Sequence, residues 1–379
     1  MFHAAGVVTR AGAPAEPTHP MKILLVRLRL IGDVVFTTPA VTAIRDAFPD
    51  AAITYLVEPS AAAVVEGHPG VDIVKVVPHL RGWRRIAADV ALARELRRAR
   101  FDLVVDFHGG PRASFLSWAT GAPRRVGYAV KGRSWMYTEV VPRPADLRPR
   151  HSVENQWDLL PHLGRPIAAP DRVRHRVRMD ESETAKASVA SRLAAAGIDP
   201  SHRLVVVHVS AGNPFRRWPS SHFVELAVQL AANAPDRRII LTSGPSEAEA
   251  ARAIVAQVQQ RLAEGDRDRI RTGDEYSLAE LRSLVARAAV YVGGDSGPLH
   301  VAATSDVPIV GLYGPTLPVR SAPWRPADVP TAAVERLDLA CRPCDQRRCV
   351  TDDFRCLTGI GPEQVVQAVE QVLAAGTRG

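Results

Sequence analysis

Short apolar runs recur along this chain with no alternation of polar and apolar positions. The clearest are KILLVRL (22–28), DLVVDF (102–107), RLVVVHV (203–209), RIILTSG (238–244) and PIVGLYG (308–314). A strand of that kind is buried on both faces, as in a parallel sheet covered by helices on either side. AITYLVE (52–58), VDIVKVV (71–77) and VYVG (291–294) extend the set. Between the runs lie helical stretches: 84–100, 181–197, 220–235, 246–263, 277–289, 298–305 and 362–376. Strand–helix alternation predicts an α/β class with parallel, doubly wound sheets.

At 379 residues the chain exceeds one ordinary core and suits two domains. The Pro-, Gly- and Ala-rich HLGRPIAAPDR (162–172) reads as the link between them. The expected division is a loose extension at 1–20, a first domain at 21–165, a second at 173–360, and a closing helix and tail at 361–379. Two doubly wound domains would then face each other across a cleft.

No apolar run reaches the roughly 18 residues of a membrane-spanning helix. The net charge of +8 and pI near 9.7 suit an anionic partner, a phosphate group or an anionic membrane surface. Only four of the 48 basic residues are lysine, so a coding bias toward arginine shares in that excess. Aromatic residues are 6% and form no platform interleaved with basic ones, so no nucleic-acid partner is expected. With no export signal, the expected location is the cytoplasm. The four cysteines, Cys341, Cys344, Cys349 and Cys356, are spaced C-x2-C-x4-C-x6-C. They read as a structural staple through metal or disulfide, or as free thiols; no catalytic metal is assigned.

Chemistry is expected where strands end and helices begin. GGDSGPLHVAA (293–303) leaves one strand and opens one helix. Its glycines let backbone approach an anion, the helix start favours negative charge, and Pro298 needs no N–H partner in the first turn. Ser296 and His300 can donate to a phosphate. Asp295 caps the helix or takes a sugar hydroxyl. IGDVVFTTPA (31–40) is the matching place in the first half. Asp33 there reads as a helix cap, or as a general base for an incoming hydroxyl. Arg216 and Arg217 follow the strand at 203–209, and an arginine fork suits a diphosphate. Glu247, after the strand at 238–244, reads as a ribose contact or a first-turn acid. His108 and Arg112, in FHGGPRASF (107–115), and the basic Arg124, Arg125, Lys131 and Arg133 are the acceptor-side candidates, against the reading of a capping loop and a solvated face.

GDVVFTTPA, RRWP, and GGDSGPLHVAA followed by VPIVGLYGPT together resemble the heptosyltransferases of lipopolysaccharide inner-core synthesis, glycosyltransferase family 9. The resemblance runs in order over most of 21–375. It implies a GT-B fold, two Rossmann-like domains with the active site between them. It also implies inverting, metal-independent transfer of a heptose from ADP-L-glycero-D-manno-heptose to a lipid A–Kdo acceptor, with no cofactor. The enzyme would work at the cytoplasmic face of the inner membrane. On this likeness Asp33 is the base, and Arg216, Glu247, Asp295, Ser296, Gly297 and His300 hold the donor. Arg216 stands where relatives often carry lysine, which replaces a point charge with a fork. The other functions weighed are transfer of a different nucleotide-linked sugar, a non-catalytic binding relative and a nucleotide-sugar 2-epimerase.

Overall fold

The structure is a computed structural model that describes residues 19–143, 150–209, 212–273 and 275–376. The extension expected at 1–20 lies almost wholly outside the described residues.

The first half runs β1 (Lys22–Val26), α1 (Ile31–Val35), α2 (Thr38–Ala47), β2 (Ala52–Val57), β3 (Ile73–Val76), α3 (Gly82–Ala99), β4 (Leu103–Asp106), α4 (Pro111–Ala119), β5 (Arg124–Tyr128), β6 (Glu139–Val141) and α5 (Ser152–Trp157). The second runs α6 (Glu183–Ala195), β7 (Arg203–His208), α7 (Ser220–Asn233), β8 (Arg237–Thr242), α8 (Ala248–Arg261), β9 (Ile270–Thr272), α9 (Leu278–Ala286), β10 (Val290–Gly294), α10 (Gly297–Ala302), β11 (Ile309–Tyr313), α11 (Pro318–Ser321), β12 (Thr331–Glu335), α12 (Arg355–Thr358) and α13 (Pro362–Gly376).

Two six-stranded sheets result, ordered β3-β2-β1-β4-β5-β6 and β12-β11-β10-β7-β8-β9. Their ten strand pairings are all parallel. The second order is the first read backwards, so the halves share one topology. The central strands match the apolar runs, and Ile23, Leu24, Leu25 and Val26 are fully buried. Alternate residues of β1 serve opposite faces. Ile23 and Leu25 pack with α1 and α2, whereas Leu24 and Val26 pack with Leu92 and Leu96 of α3 and Leu116 of α4. Hydrophobic burial at about 25 cal/mol per Å² makes both faces contribute.

Strand order reverses between β1 and β4 in the first sheet and between β7 and β10 in the second. The gaps beyond the carboxyl ends of these pairs are where doubly wound sheets bind ligands. Both gaps open toward each other, because α1 packs against α10. A Cβ on Gly297 would lie 3.0 Å from Ile31 Cβ. Side-chain size is what lets these two short helices meet.

Candidate active site

The chain leaves β1 through Arg27, whose Nη1 donates to the Phe107 carbonyl at 2.6 Å. Its Nη2 forms an ion pair with Asp33. The Asp33 carboxylate also accepts from the Leu30 N–H at 3.4 Å. Asp33 keeps 37% of its side chain accessible, while Arg27 behind it keeps 11%. The carboxylate is thus held in place yet open to a ligand.

Beside it, β4 ends in Asp106, which is fully buried. One oxygen accepts from the N–H groups of His108 and Gly109 at 2.8 and 2.9 Å, the other from Tyr137 Oη at 2.6 Å. Burial pushes its carboxyl above the usual range despite those bonds. Asp106 shapes the 107–110 loop. His108 Nδ1 accepts from the Leu28 N–H at 3.2 Å, which assigns the ring proton to Nε2. Burial first, then the charges of Arg27 and Arg29, hold His108 down at about 4. It is therefore neutral at pH 7.

In the second half β10 runs into Ser296, the extended residue before α10. Its hydroxyl makes no capping bond, and Pro298 sits in the first turn. Asp295 is 3% exposed. Arg216 Nη1 lies 3.5 Å from its carboxylate and donates to its carbonyl at 3.0 Å. His300 Nε2 lies 3.4 Å from its other oxygen. Burial works against the Asp295 charge, but His300, then the Thr316 hydroxyl and Arg216, outweigh it and hold the carboxyl below its ordinary range. A carboxylate at this strand-to-helix turn thus has a physical account: Asp295 is the buried counter-ion that sets Arg216 and His300. Gln346 braces Arg216 from the other side, accepting from Nε at 2.7 Å and from Asn213 at 2.8 Å.

One cavity of about 380 Å³ gathers both halves. Leu30, Gly32, Asp33, Phe36 and Ser152 line it from the first; Arg216, Asp295, Ser296, Gly297 and His300 line it from the second. The 315–346 stretch closes it with Thr316, Arg320, Ser321, Cys344 and Gln346. The buried hydroxyls of Ser296 and Ser321, the His300 Nδ1 and one Asp295 carboxylate oxygen have no hydrogen-bond partner in the described residues. Buried polar atoms are seldom left unpaired. Two hydroxyls near an arginine are donors that an oxyanion would satisfy.

Other sequence candidates lie elsewhere. Glu247 is buried and pairs with Arg217 at 2.6 Å, outside the cavity lining. Arg112 is held by Asp89 at 2.5 Å, by the Pro78 carbonyl at 2.8 Å and by Glu58 at 3.7 Å, so it ties the start of α4 to α3. Arg124 binds Glu139 and the carbonyls of His162 and Leu163, and Arg125 binds those of Ala122 and Met136. Both stand at the amino end of β5, opposite the cavity, and the structure does not bring them to it. The four cysteines are unbridged and half-buried. Burial, then Cys344, Cys341 and Cys349 nearby, raise the Cys356 thiol. No three His, Cys, Asp or Glu among the described residues are placed to hold a metal ion. Sequence reasoning missed Arg27, Asp106, Thr316, Ser321 and Gln346; an arginine ending an apolar strand was the one available signal.

Comparison with known proteins agrees with this geometry. The profile of glycosyltransferase family 9 (heptosyltransferase) matches residues 90–354. Lipopolysaccharide heptosyltransferase 1 of Pseudomonas aeruginosa is 26% identical over 387 aligned positions, covering 94% of this chain and 99% of that protein. A family 9 glycosyl transferase of Veillonella parvula superposes with a TM-score of 0.81 at 24% identity, over 95% of this chain and 99% of the other. Escherichia coli heptosyltransferase WaaC, solved with ADP, gives 0.65 at 22%, over 93% and 100%. The likeness to these two structures shows the fold, a pair of Rossmann-like domains of the GT-B kind. With two facing sheets, one shared cavity and a profile match over most of its length, the chain belongs to glycosyltransferase family 9, the heptosyltransferase family.

Proposed function

We propose that this enzyme transfers a heptose from ADP-L-glycero-D-manno-heptose to a lipid A–Kdo acceptor of the lipopolysaccharide inner core, inverting the anomeric centre. The observation that carries the reading is the single cavity holding Asp33 from one half and Arg216, Ser296, Gly297 and His300 from the other. An acceptor hydroxyl gives its proton to the Asp33 carboxylate as its oxygen attacks the anomeric carbon. The bond from that carbon to the diphosphate oxygen breaks, and ADP leaves with the electron pair. Attack opposite the leaving group inverts the centre.

Arg216 meets the charge that grows on the diphosphate, with the hydroxyl of Ser296 as a donor. These groups stand where a metal ion would otherwise be needed, so the reaction as proposed runs without one. Arg27 orients Asp33, and Asp295 orients Arg216 and His300. The adenine specificity is supported by WaaC, a fold neighbour solved with ADP. With a nucleotide-sugar donor and a lipid-linked acceptor, the proposed place of action is the cytoplasmic face of the inner membrane; no helix among the described residues is long and apolar enough to cross it.

Thermal stabilisation by ADP, UDP, GDP and CMP in chelator tests the donor. A ligand at 100 times its Kd adds about 2.7 kcal/mol. A shift with ADP alone, followed by transfer from ADP-heptose in chelator, is the expected result. A shift with UDP or GDP instead would remove heptose from the reading.

A further inference from the structure

We propose that the outer face of α3 and α4 is a docking surface for an anionic lipid bilayer. The inference deepens the proposed function, resting on it only for the notion that the acceptor is lipid-borne.

The protein has six tryptophans. Trp157, Trp218 and Trp324 are buried. The other three are not: Trp83 is 74% exposed, Trp135 63% and Trp118 42%. All three belong to the first half: Trp83 begins α3, Trp118 closes α4 and Trp135 follows β5. Trp118, on α4, meets Trp135 edge-on with ring centroids 5.7 Å apart, and Phe115 lies 6.2 Å from Trp118. A groove of about 360 Å³ between α3 and α4 is lined by Val90, Ala93, Phe115 and Trp118, with Arg94, Arg97 and Arg125 also in its wall.

Helix α3 shows why this face is unusual. Its inner side is Leu92 and Leu96, packed on the sheet. Trp83, Ile86 and Val90, spaced i, i+3, i+7, form a second apolar stripe that is exposed along its length. The same stripe continues into Arg94 and Arg97. Residues 81–100 hold seven arginines against Asp89 and Glu95. Exposed tryptophan and isoleucine on an arginine-rich helix is the composition of a helix lying in a membrane interface. The tryptophan ring suits the headgroup level, and the arginines suit anionic lipid. A second copy of this chain fits less well, because a two-fold contact would set one arginine array against another.

Position agrees. Trp83 and Ile86 lie in the first turns of α3, just beyond the carboxyl end of β3, the rim on which the cavity opens. The Arg112 pair with Asp89 fixes those turns to α4. A bilayer laid along α3 would meet that rim at Trp83 and Ile86, while the Trp118 groove, with Arg125 in its wall, lies toward the opposite end of the helix.

The test is flotation of the whole protein with vesicles of phosphatidylcholine alone or with one quarter phosphatidylglycerol, at low and high salt. The unaltered protein is expected to float with the anionic vesicles at low salt. Trp83→Glu with Ile86→Glu should reduce the bound fraction at least tenfold, and Arg94→Gln with Arg97→Gln should remove its dependence on anionic lipid. Both variants should keep the ADP stabilisation of the parent, which shows an intact fold. Equal flotation of parent and variants would overturn the proposal. So would a parent that ignores vesicles but sediments as a dimer that Trp83→Glu dissociates. If ADP fails to stabilise any of the proteins while flotation behaves as expected, the donor assignment falls and the docking surface stands.

Discussion

Gly32 of α1 lies against His300 of α10 so closely that a Cβ at position 32 would run into the imidazole Cδ2. Alanine is the better helix former by about 1 kcal/mol, so Gly32→Ala would be stabilising if there were room. The clash reverses the sign. Overpacking of this kind costs about 1–3 kcal/mol, and a displaced ring leaves Asp295. The expected outcome is a lower Tm together with weaker stabilisation by ADP. Gly265→Ala, where no atom lies within 4 Å of the new Cβ, should show neither. Equal behaviour of the two variants would remove the contact from the account.

Asp33→Asn keeps the size of the side chain and removes the base. A positioned base contributes about 10²–10⁴-fold, so kcat should fall by that factor with little change in donor KM. ADP stabilisation should be retained, since the donor groups lie on the other half. Transfer at the parental rate would assign the proton to another group.

Arg216 sits between Asp295 and Gln346, and its replacement acts on both stability and affinity. Arg216→Ala leaves a carboxylate that is 3% exposed with one cationic neighbour fewer. The expected cost is about 1–3 kcal/mol of stability, read as a fall in Tm without ligand. ADP affinity should fall at least tenfold in calorimetry. Arg216→Lys should restore part of the affinity but not the native value, because an ammonium cannot span both partners as the fork does.

Acid should destabilise the enzyme well above the carboxylate range. His68, His108, His151 and His208 are each held near 4, chiefly by burial. In the unfolded chain a histidine titrates near 6.5. Between those values the unfolded state binds more protons, so stability falls as pH falls, by up to about 1.4 kcal/mol per pH unit for each histidine. Tm should be flat from these groups above pH 7 and drop steeply from about 6.5 toward 4. His208→Gln, which leaves a polar partner for Thr242, should flatten that slope. An unchanged slope would show that His208 takes a proton in the folded state.

The interior of the fold was legible in the sequence because β1, β4, β7, β10 and β11 are buried on both faces and carry unbroken apolar runs. The outer strands β5, β6 and β9 were not, although the edge strand β3 was. RRVGY in β5 begins with two arginines, and EVV and IRT in β6 and β9 are three residues long, too short to show a period. The same limit displaced Arg124 and Arg125. Composition marks them as basic, but only strand direction decides which end of the sheet they occupy. Asp33, Arg216 and the 295–300 turn were readable because each follows a strand and opens or precedes a helix. Gln346, Thr316 and Ser321 come from a stretch with no periodic pattern, and their place at the cavity is fixed by tertiary packing alone.

The two halves share a topology, and each sets one charge just after its first strand: Asp33 beyond β1, Arg216 beyond β7. Each charge has an opposite partner set deeper. Arg27 is 11% exposed behind Asp33 at 37%, and Asp295 is 3% exposed behind Arg216 at 30%. Sign alternates along this series, from Arg27 to Asp33 on one wall and from Arg216 to Asp295 on the other. The cavity between them therefore carries an electric field fixed by the fold before any substrate arrives. Positive charge moving toward Asp33 and negative charge moving toward Arg216 both travel downhill in that field.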